Sequence, residues 1–320
     1  MKRTAIGIDI GGTAIKFGVI SDAGKVLHHF SRITEASPAS ISGIIQEGVK
    51  AILDSNKQRN WRIEHIGIAS PGAVDIDSGI IFGASPNIPG WSGTNLKRIV
   101  GIFGYPSYAD NDANAACLGE MKVGAGKGFR QILFVTIGTG VGGGIVINGN
   151  IYRGANFGAA EIGHAIIRPG GRRCGCGNRG CMEKYASVTG MIATAKQILS
   201  RRRKGKLWRA IRANLANLTP EIITAEFRNG DPVAIEIIES QAEALSQGVA
   251  GALNLLNPEV LIIGGAISEA GTGYIKAISN AIIGKTFPAA TEKLKIIPAR
   301  LGGRAGMVGA AYLGWILPAN

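Results

Sequence analysis

Hydrophobic positions along the 320-residue chain fall into short runs and helical stripes separated by glycine-rich turns. Residues 4–10 are an almost unbroken apolar run of strand length, which reads as a strand covered on both faces. Gly11-Gly12-Thr13 is a tight turn, and residues 14–20 form a second strand joined to the first as a hairpin. Apolar residues at helical spacing predict an amphipathic helix over 38–57, followed by a strand over 63–69 that Ser70-Pro71-Gly72 turns. A short strand is expected at 105–109, then a helix from about Ala113 to Val123 with Asp112 near its N-cap. Further strands are expected at 131–137, 145–147, 260–263 and 294–298. Helices are expected at 186–202, 219–229, 232–255 (stopped by Asn257-Pro258), 272–284 and 306–317.

Strands alternating with helices make this an α/β chain. Its opening pattern returns: after the strand at 131–137 comes Gly138-Thr139-Gly140-Val141-Gly142-Gly143-Gly144, then a strand and an Asn148-Gly149 turn. Two such units predict two lobes. The first is expected to span 1–112, completed by the C-terminal helix at 305–320, and the second 113–304. A dinucleotide fold or a Walker loop needs a helix directly after its glycines. Here a strand follows, so both are disfavoured. A glycine turn in a hairpin can still bring backbone N–H groups close to phosphate oxygens. Thr13 and Lys16 add polar contacts, and Asp9 can face a phosphate-bound Mg²⁺ through water. Gly264-Gly265-Ala266 is a third glycine turn, placed to pass beside an adenine or ribose. Each turn also reads as an ordinary tight connection.

Asp112 allows two accounts. Asp caps helices well. A carboxylate beyond the carboxyl end of a strand also lies where open α/β sheets place ligands, and there it could accept the proton of a substrate hydroxyl. The loop from Ser85 to Trp91 offers Asn87 and an aromatic ring to a ligand, or is simply a rigid Pro-rich connection.

Three of the four cysteines, Cys174, Cys176 and Cys181, sit within eight residues, and His164 lies ten residues ahead of them. One imidazole and three thiolates are a tetrahedral Zn²⁺ set. Gly175, Gly177 and Gly180 let the loop fold tightly enough to converge the sulfurs. Glu161 and Glu183 flank the cluster. Metal-spaced cysteines fit a reducing cytoplasm better than a disulfide framework. No apolar run reaches the length of a membrane span, and no signal-peptide pattern follows Met1. The formal charge of +13 invites a nucleic-acid reading. Seven of the positive charges lie between Arg201 and Arg212, however, in what reads as a solvated helix end. No specific nucleic-acid partner is expected, and no membrane.

These motifs together resemble the ROK family of sugar kinases and repressors, over essentially the whole chain. Asp9-x-Gly11-Gly12-Thr13-x-x-Lys16 resembles its first phosphate motif. Asn111-Asp112-x-Asn114 resembles its catalytic segment, and Gly138-Thr139-Gly140-x-Gly142 its second phosphate motif. Glu161-x-Gly163-His164 with the three cysteines and Glu183 resembles its sugar-and-zinc signature, the most specific of the four. The resemblance implies a two-lobed actin/hexokinase-like (ribonuclease H-like) fold with a zinc-binding loop. It implies ATP with Mg²⁺ as phosphoryl donor and a hexose, most readily glucose, as acceptor, in a cytoplasmic homodimer. Asp112 would be the general base, and Gly72, Asn87, Asn111, Glu161, His164 and Glu183 the sugar contacts. His164 would serve both metal and sugar. Asp9, Gly11, Gly12, Thr13, Lys16, Gly138, Thr139, Gly140, Gly264 and Gly265 would serve the nucleotide. An N-acetylmannosamine or N-acetylglucosamine kinase is the nearest alternative. A sugar-responsive regulator without catalysis is the alternative from another class. The repressors carry a helix-turn-helix domain ahead of the first glycine motif, for which nine residues leave no room. At Leu301-Gly302-Gly303-Arg304-Ala305-Gly306 the chain departs from the pattern, because an acidic residue is expected soon after the leucine.

Overall fold

A computed structural model describes residues 3–35, 37–83, 88–265 and 271–317. Its strands form two five-stranded sheets of related design. In the first, β1 (Arg3–Ile10), β2 (Ala14–Ser21) and β3 (Val26–Ile33) make an antiparallel meander, while β4 (Arg62–Ser70) and β7 (Ser107–Asn111) run parallel to β1. The order is β3-β2-β1-β4-β7. The second has the order β10-β9-β8-β11-β12. It comprises β8 (Ile132–Ile137), β9 (Val141–Ile147), β10 (Asn150–Ile151), β11 (Val260–Gly264) and β12 (Lys295–Pro298). Here β9 and β10 pair antiparallel, and β8, β11 and β12 run parallel. The pattern read as a repeat is therefore a repeat of sheet design. A two-stranded sheet of β5 (Ala73–Val74) and β6 (Ile81–Phe82) accompanies them.

Burial follows the apolar runs. β1 is buried at nearly every position, as a strand with both faces covered must be. The edge strand β3, which pairs with β2, had no counterpart in the sequence reading. It is a half-exposed edge strand carrying His28, His29 and Arg32, and polar residues are what a tolerated edge presents. Phe30 ties it to the core by stacking on Phe17 with centroids 5.0 Å apart.

The helices start and stop where local chemistry dictates. α1 (Pro38–Arg59) has Ser37 accepting a hydrogen bond from Ser40 N, Pro38 at its first turn, and Asn60 in the left-handed region at its end. α2 (Leu96–Gly101) is a short helix capped by Asn95 that the sequence reading did not anticipate. α3 (Asp112–Val123) is capped by Asn111 rather than Asp112: Asn111 Oδ1 accepts from Ala113 N and Asn114 N. α4 (Glu183–Ala186) leads into α5 (Val188–Arg201). The basic run does not continue that helix. Arg202 ends it, Gly205 (φ +103) breaks the chain, and α6 (Lys206–Ala210) follows, with Leu207 and Ile211 buried. α7 (Pro220–Arg228) precedes α8 (Pro232–Leu256), which Asp231 caps and a left-handed Asn257 ends. α9 (Thr272–Ile283), α10 (Pro288–Thr291) and α11 (Ala305–Ile316) complete the chain.

Two compact units result: Met1–Arg130 with Gly144–Ala160 and Gly303–Asn320, and Gln131–Gly143 with Glu161–Gly302. This division differs from the boundary expected at 112/113, because α3 goes with the first unit. The reason is close packing against α11. A Cβ on Gly309 would lie 1.6 Å from Ala115 O, so the two helix backbones nearly touch. The same helix meets the first sheet in the same way. A Cβ on Gly7 would fall 2.0 Å from Met307 O, and one on Gly67 1.8 Å from Ala310 O. No described helix is long and apolar enough to cross a membrane.

Gly67→Ala is expected to destabilise the protein by about 3 kcal/mol through this clash. Gly43→Ala is expected to add about 0.5–1 kcal/mol, because Gly43 lies inside α1 with open space around it. Denaturant titration of both variants checks the contrast.

Candidate active site

Strand register builds the candidate site of the first unit. On the parallel strands, Asp9 pairs with Ala69, Ala69 with Asp110, and Ser70 with Asn111. The carboxyl ends of β1, β4 and β7 thus bring Asp9 and the Asp110–Asp112 segment to one level of the sheet. Each residue of that segment has a different task. Asp110, almost wholly buried, accepts from Arg153 Nη2 at 2.6 Å and Nε at 2.9 Å, and also from Asn111 N. Asn111 caps α3 with its oxygen and donates Nδ2–H to Gly72 O at 3.1 Å. Asp112 is left half-buried with Ala113 N, 2.8 Å away, donating to its Oδ1. Burial raises the proton affinity of its carboxyl, against that hydrogen bond. Arg153 was not foreseen; it lies 43 residues from its partner, and no local pattern marks it.

Asp9 at the end of β1 is the second carboxylate. Burial pushes it up to about 6; Lys16 Nζ, 3.8 Å from its Oδ2, pulls it down, and the charge of Asp112 pushes it up further. An acid whose proton affinity is raised by burial and by a neighbouring carboxylate is a fitting place for a divalent cation, whose charge reverses that effect. Gly11 N donates to Ala14 O and Thr34 N to Thr13 O, so the first glycine turn is closed by its own backbone, with Gly12 and Thr13 exposed. Lys16 also donates to Gly303 O at 2.6 Å.

The second unit holds the His164–Cys181 loop and two glycine turns. Among the described residues, His164, Cys174, Cys176 and Cys181 present ligand atoms all within 4.8 Å of one another. Cys174 Sγ lies 3.6 Å from His164 Nδ1, and Cys176 Sγ 3.6 Å from Cys181 Sγ. Tetrahedral zinc with bonds of about 2.0–2.3 Å separates its ligand atoms by about 3.5–3.8 Å, so the donor set fits that ion. His164 turns its other nitrogen, Nε2, toward Glu161 Oε2 at 3.9 Å. Gly180 (φ +84) is needed in the loop, since a Cβ there would lie 1.7 Å from Arg168 O. Gly175, read as a loop former, has no such positive φ.

Glu183 links the loop to the second glycine turn. Its Oε2 accepts from Val141 N at 3.3 Å, and its Oε1 lies 3.9 Å from Cys174 Sγ. Gly138 N donates to Gly140 O, which closes the turn, and Thr189 Oγ1 donates to Thr139 O. The third glycine turn packs beside it: a Cβ on Gly265 (φ +87) would meet Ile137 O at 2.2 Å. Gly264 faces the Phe134 ring. Asn87 and Ala266 lie outside the described residues.

With this geometry in view, comparisons with known proteins are specific. A family profile, described as ROK family, matches residues 5–315. The chain belongs to the ROK family. A glucokinase of Halalkalibacterium halodurans is 35% identical over 316 residues, covering 97% of this chain and 94% of its own. A xylose repressor of Caldicellulosiruptor bescii is 31% identical, covering 95% of this chain and 76% of its own. In structure, a ROK family glucokinase from Streptomyces griseus, in complex with glucose and AMPPNP, superposes with TM-score 0.84 at 33% identity, covering 97% of this chain and 98% of its own.

The departure of this ROK chain at Leu301–Gly306 now has a setting. A Cβ on Gly306 would lie 2.7 Å from Asp9 Cγ, and Gly303 O receives the Lys16 ammonium, while the Arg304 side chain is exposed. The glycines let the backbone pack against the Asp9–Lys16 pair.

Asp9 opposes folding once ionised. A carboxyl titrating near 6 when folded and near 3.8 when unfolded contributes stability that is complete below 3.8 and lost as pH rises through 6. In the absence of metal and nucleotide, Asp9→Asn is therefore expected to leave stability unchanged near pH 4 and raise it by about 2 kcal/mol at pH 8. Chemical denaturation at the two pH values checks this; a loss of stability at pH 8 would contradict it.

Proposed function

We propose that this protein is an ATP-dependent sugar kinase that phosphorylates the 6-hydroxyl of glucose, with Asp112 as general base. The observation that carries the reading is Asp112 itself. It is half-buried at the head of α3, its neighbours Asp110 and Asn111 have structural partners, and its proton affinity is raised toward that of a working base. The glucokinase relatives, matched over nearly the whole chain, supply the reaction class and the sugar.

Phosphoryl transfer needs alignment and charge stabilisation more than covalent help. Backbone N–H groups of the turns at Gly11-Gly12-Thr13 and Gly138-Thr139-Gly140 would hold phosphate oxygens, with Lys16 adding positive charge and Gly264-Gly265 passing beside the nucleoside. Asp9 would hold Mg²⁺ through water; the ion, when bound, neutralises charge on the β- and γ-phosphates. Glu161, His164, Glu183, Asn111 and Asn87 would accept or donate hydrogen bonds to the other hydroxyls, with Gly72 beside them. As the 6-oxygen attacks the γ-phosphorus, its proton passes to the Asp112 carboxylate and the bond to the ADP oxygen breaks. His164, Cys174, Cys176 and Cys181 would hold Zn²⁺, which supplies a fixed cross-link. With Nδ1 toward the metal, His164 keeps Nε2 for the sugar, and Glu183 has its position set by Val141 N.

The xylose repressor favours a second reading, a sugar-binding regulator of the same family. An ADP-release assay with Mg-ATP over a panel of hexoses and N-acetylhexosamines separates the readings. A strong response to glucose is expected. A preference for an N-acetylhexosamine would keep the mechanism and change the substrate, and no turnover with a folded, zinc-loaded protein would favour the regulator.

Asp112→Asn is expected to lower kcat by about 10²–10⁴-fold while sugar binding stays within about threefold. Near-normal kcat would remove Asp112 as the base. Cys176→Ser is expected to lose zinc and raise the sugar KM; elemental analysis that still finds one zinc per chain would refute the assigned ligand set.

A further inference from the structure

A cavity of about 290 Å³ in the second unit is lined by none of the residues assigned to nucleotide, sugar or metal. Its walls include Arg168 and Arg172 from the segment between His164 and Cys174, Tyr185 of α4, Arg201 and Arg202 at the end of α5, and Glu236 of α8. Four guanidinium groups thus share the space with one carboxylate. That carboxylate is taken, because Glu236 pairs with Arg202.

Among the described residues, the other three arginines have no carboxylate within ion-pairing distance. Arg172 donates to Lys184 O at 2.8 Å, Gly190 O at 3.2 Å and Thr194 Oγ1 at 3.1 Å, all neutral acceptors. These fix the guanidinium without compensating its charge. Arg168 lies over the Tyr185 ring at 4.6 Å and Arg172 over the same ring at 4.7 Å. Two cations held on one aromatic ring repel each other. The field of Arg168 reaches Glu243, but that carboxylate is already paired with Lys285. Arg201 forms no ion pair or side-chain hydrogen bond among the described residues. Gln197 and Ser240 add neutral donors to the lining.

Guanidinium groups bind phosphate oxygens bidentately, and Arg172, already fixed by neutral hydrogen bonds, loses little freedom when an anion arrives. The volume is near the lower end for small-molecule sites, about 300–1,000 Å³, and suits a compact ligand. We propose that this cavity binds a small phosphate-bearing anion, either inorganic phosphate or a phosphomonoester, through Arg168, Arg172 and Arg201. Tyr185 supplies the wall on which two of these cations are held. The proposal is independent of the kinase reading, because none of these residues has a part in it.

Calorimetric titration of the full-length, zinc-loaded protein with inorganic phosphate and with glucose 6-phosphate, at constant low ionic strength, tests it. The expected Kd is about 1 mM or tighter for at least one probe. Arg168→Gln and Arg201→Gln should each weaken it at least tenfold, and Arg201→Lys should weaken it less. Both residues are exposed, so unchanged circular dichroism is the fold control. Tighter binding of the ester would assign an organophosphate, and equal binding free phosphate; either supports the site. No binding up to about 10 mM would overturn it. So would affinity equal in wild type and both Gln variants, which places the anion elsewhere. A single-stranded oligonucleotide bound more tightly than either probe, with the same sensitivity to the Gln variants, would overturn the small-ligand reading.

Discussion

The first half of the candidate site depends on one steric constraint, the absence of side chains where α11 crosses β1 and β4. At Gly7 and Gly67 the strand backbones approach helix carbonyls so closely that a methyl group would overlap them. The same helix begins at Ala305, and Gly306 presses against the Asp9 carboxyl. Helix, strand end and acid are thus one packed unit. Burial in that unit raises the proton affinity of Asp9, so the packing that positions the acid also makes its charge costly. A cation-bound nucleotide would return that cost, which couples ligand binding to stability in this half of the protein.

A second constraint is the division of labour among neighbouring polar groups. Asp110, Asn111 and Asp112 are similar in size and polarity, yet the fold distributes them as ion-pair partner, helix cap and the acid proposed above as general base. The difference arises from direction. Asp110 is on β7 and meets Arg153 in the interior, Asn111 reaches over the first turn of α3, and the Asp112 carboxyl accepts from the adjacent Ala113 amide. In the second unit Glu183 plays an organising part, since one carboxylate contacts both the amide after the second glycine turn and a thiol of the Cys/His loop. A displaced Cys/His loop would therefore be felt at the glycine turn through a single side chain.

Much of this was legible in the sequence because its signals are local. The strand expected after Gly11-Gly12-Thr13 disfavoured a phosphate loop of the Walker type, and the β1–β2 hairpin is what stands there. The His164 and cysteine spacing anticipated ligand atoms that do converge. Asp231-Pro232 and Asn257 bound α8 within a residue of expectation. The misses are of another kind. β3 carries the polar residues of an edge strand and shows little alternation. The choice of Asn111 over Asp112 as the cap turns on a backbone angle, since both residues cap well. Arg153 and the division between the units are set by packing between segments far apart in sequence, which no local pattern encodes.

The net charge also changes meaning once the fold is known. As a sequence, Arg201–Arg212 is a run of seven cations that could follow a phosphate backbone. In the structure the run is divided by the break at Gly205. Arg202 is paired with Glu236, Arg201 lines a cavity, Lys206 Nζ donates to Asn229 O, and Arg209 and Arg212 belong to α6 and the turn after it. Nucleic-acid affinity draws on many charges presented along one path. Dispersing them over separate elements weakens such binding, while the convergence of Arg201 with Arg168 and Arg172 concentrates charge in a space of about 290 Å³. A compact anion gains from that convergence in a way an extended polyanion does not.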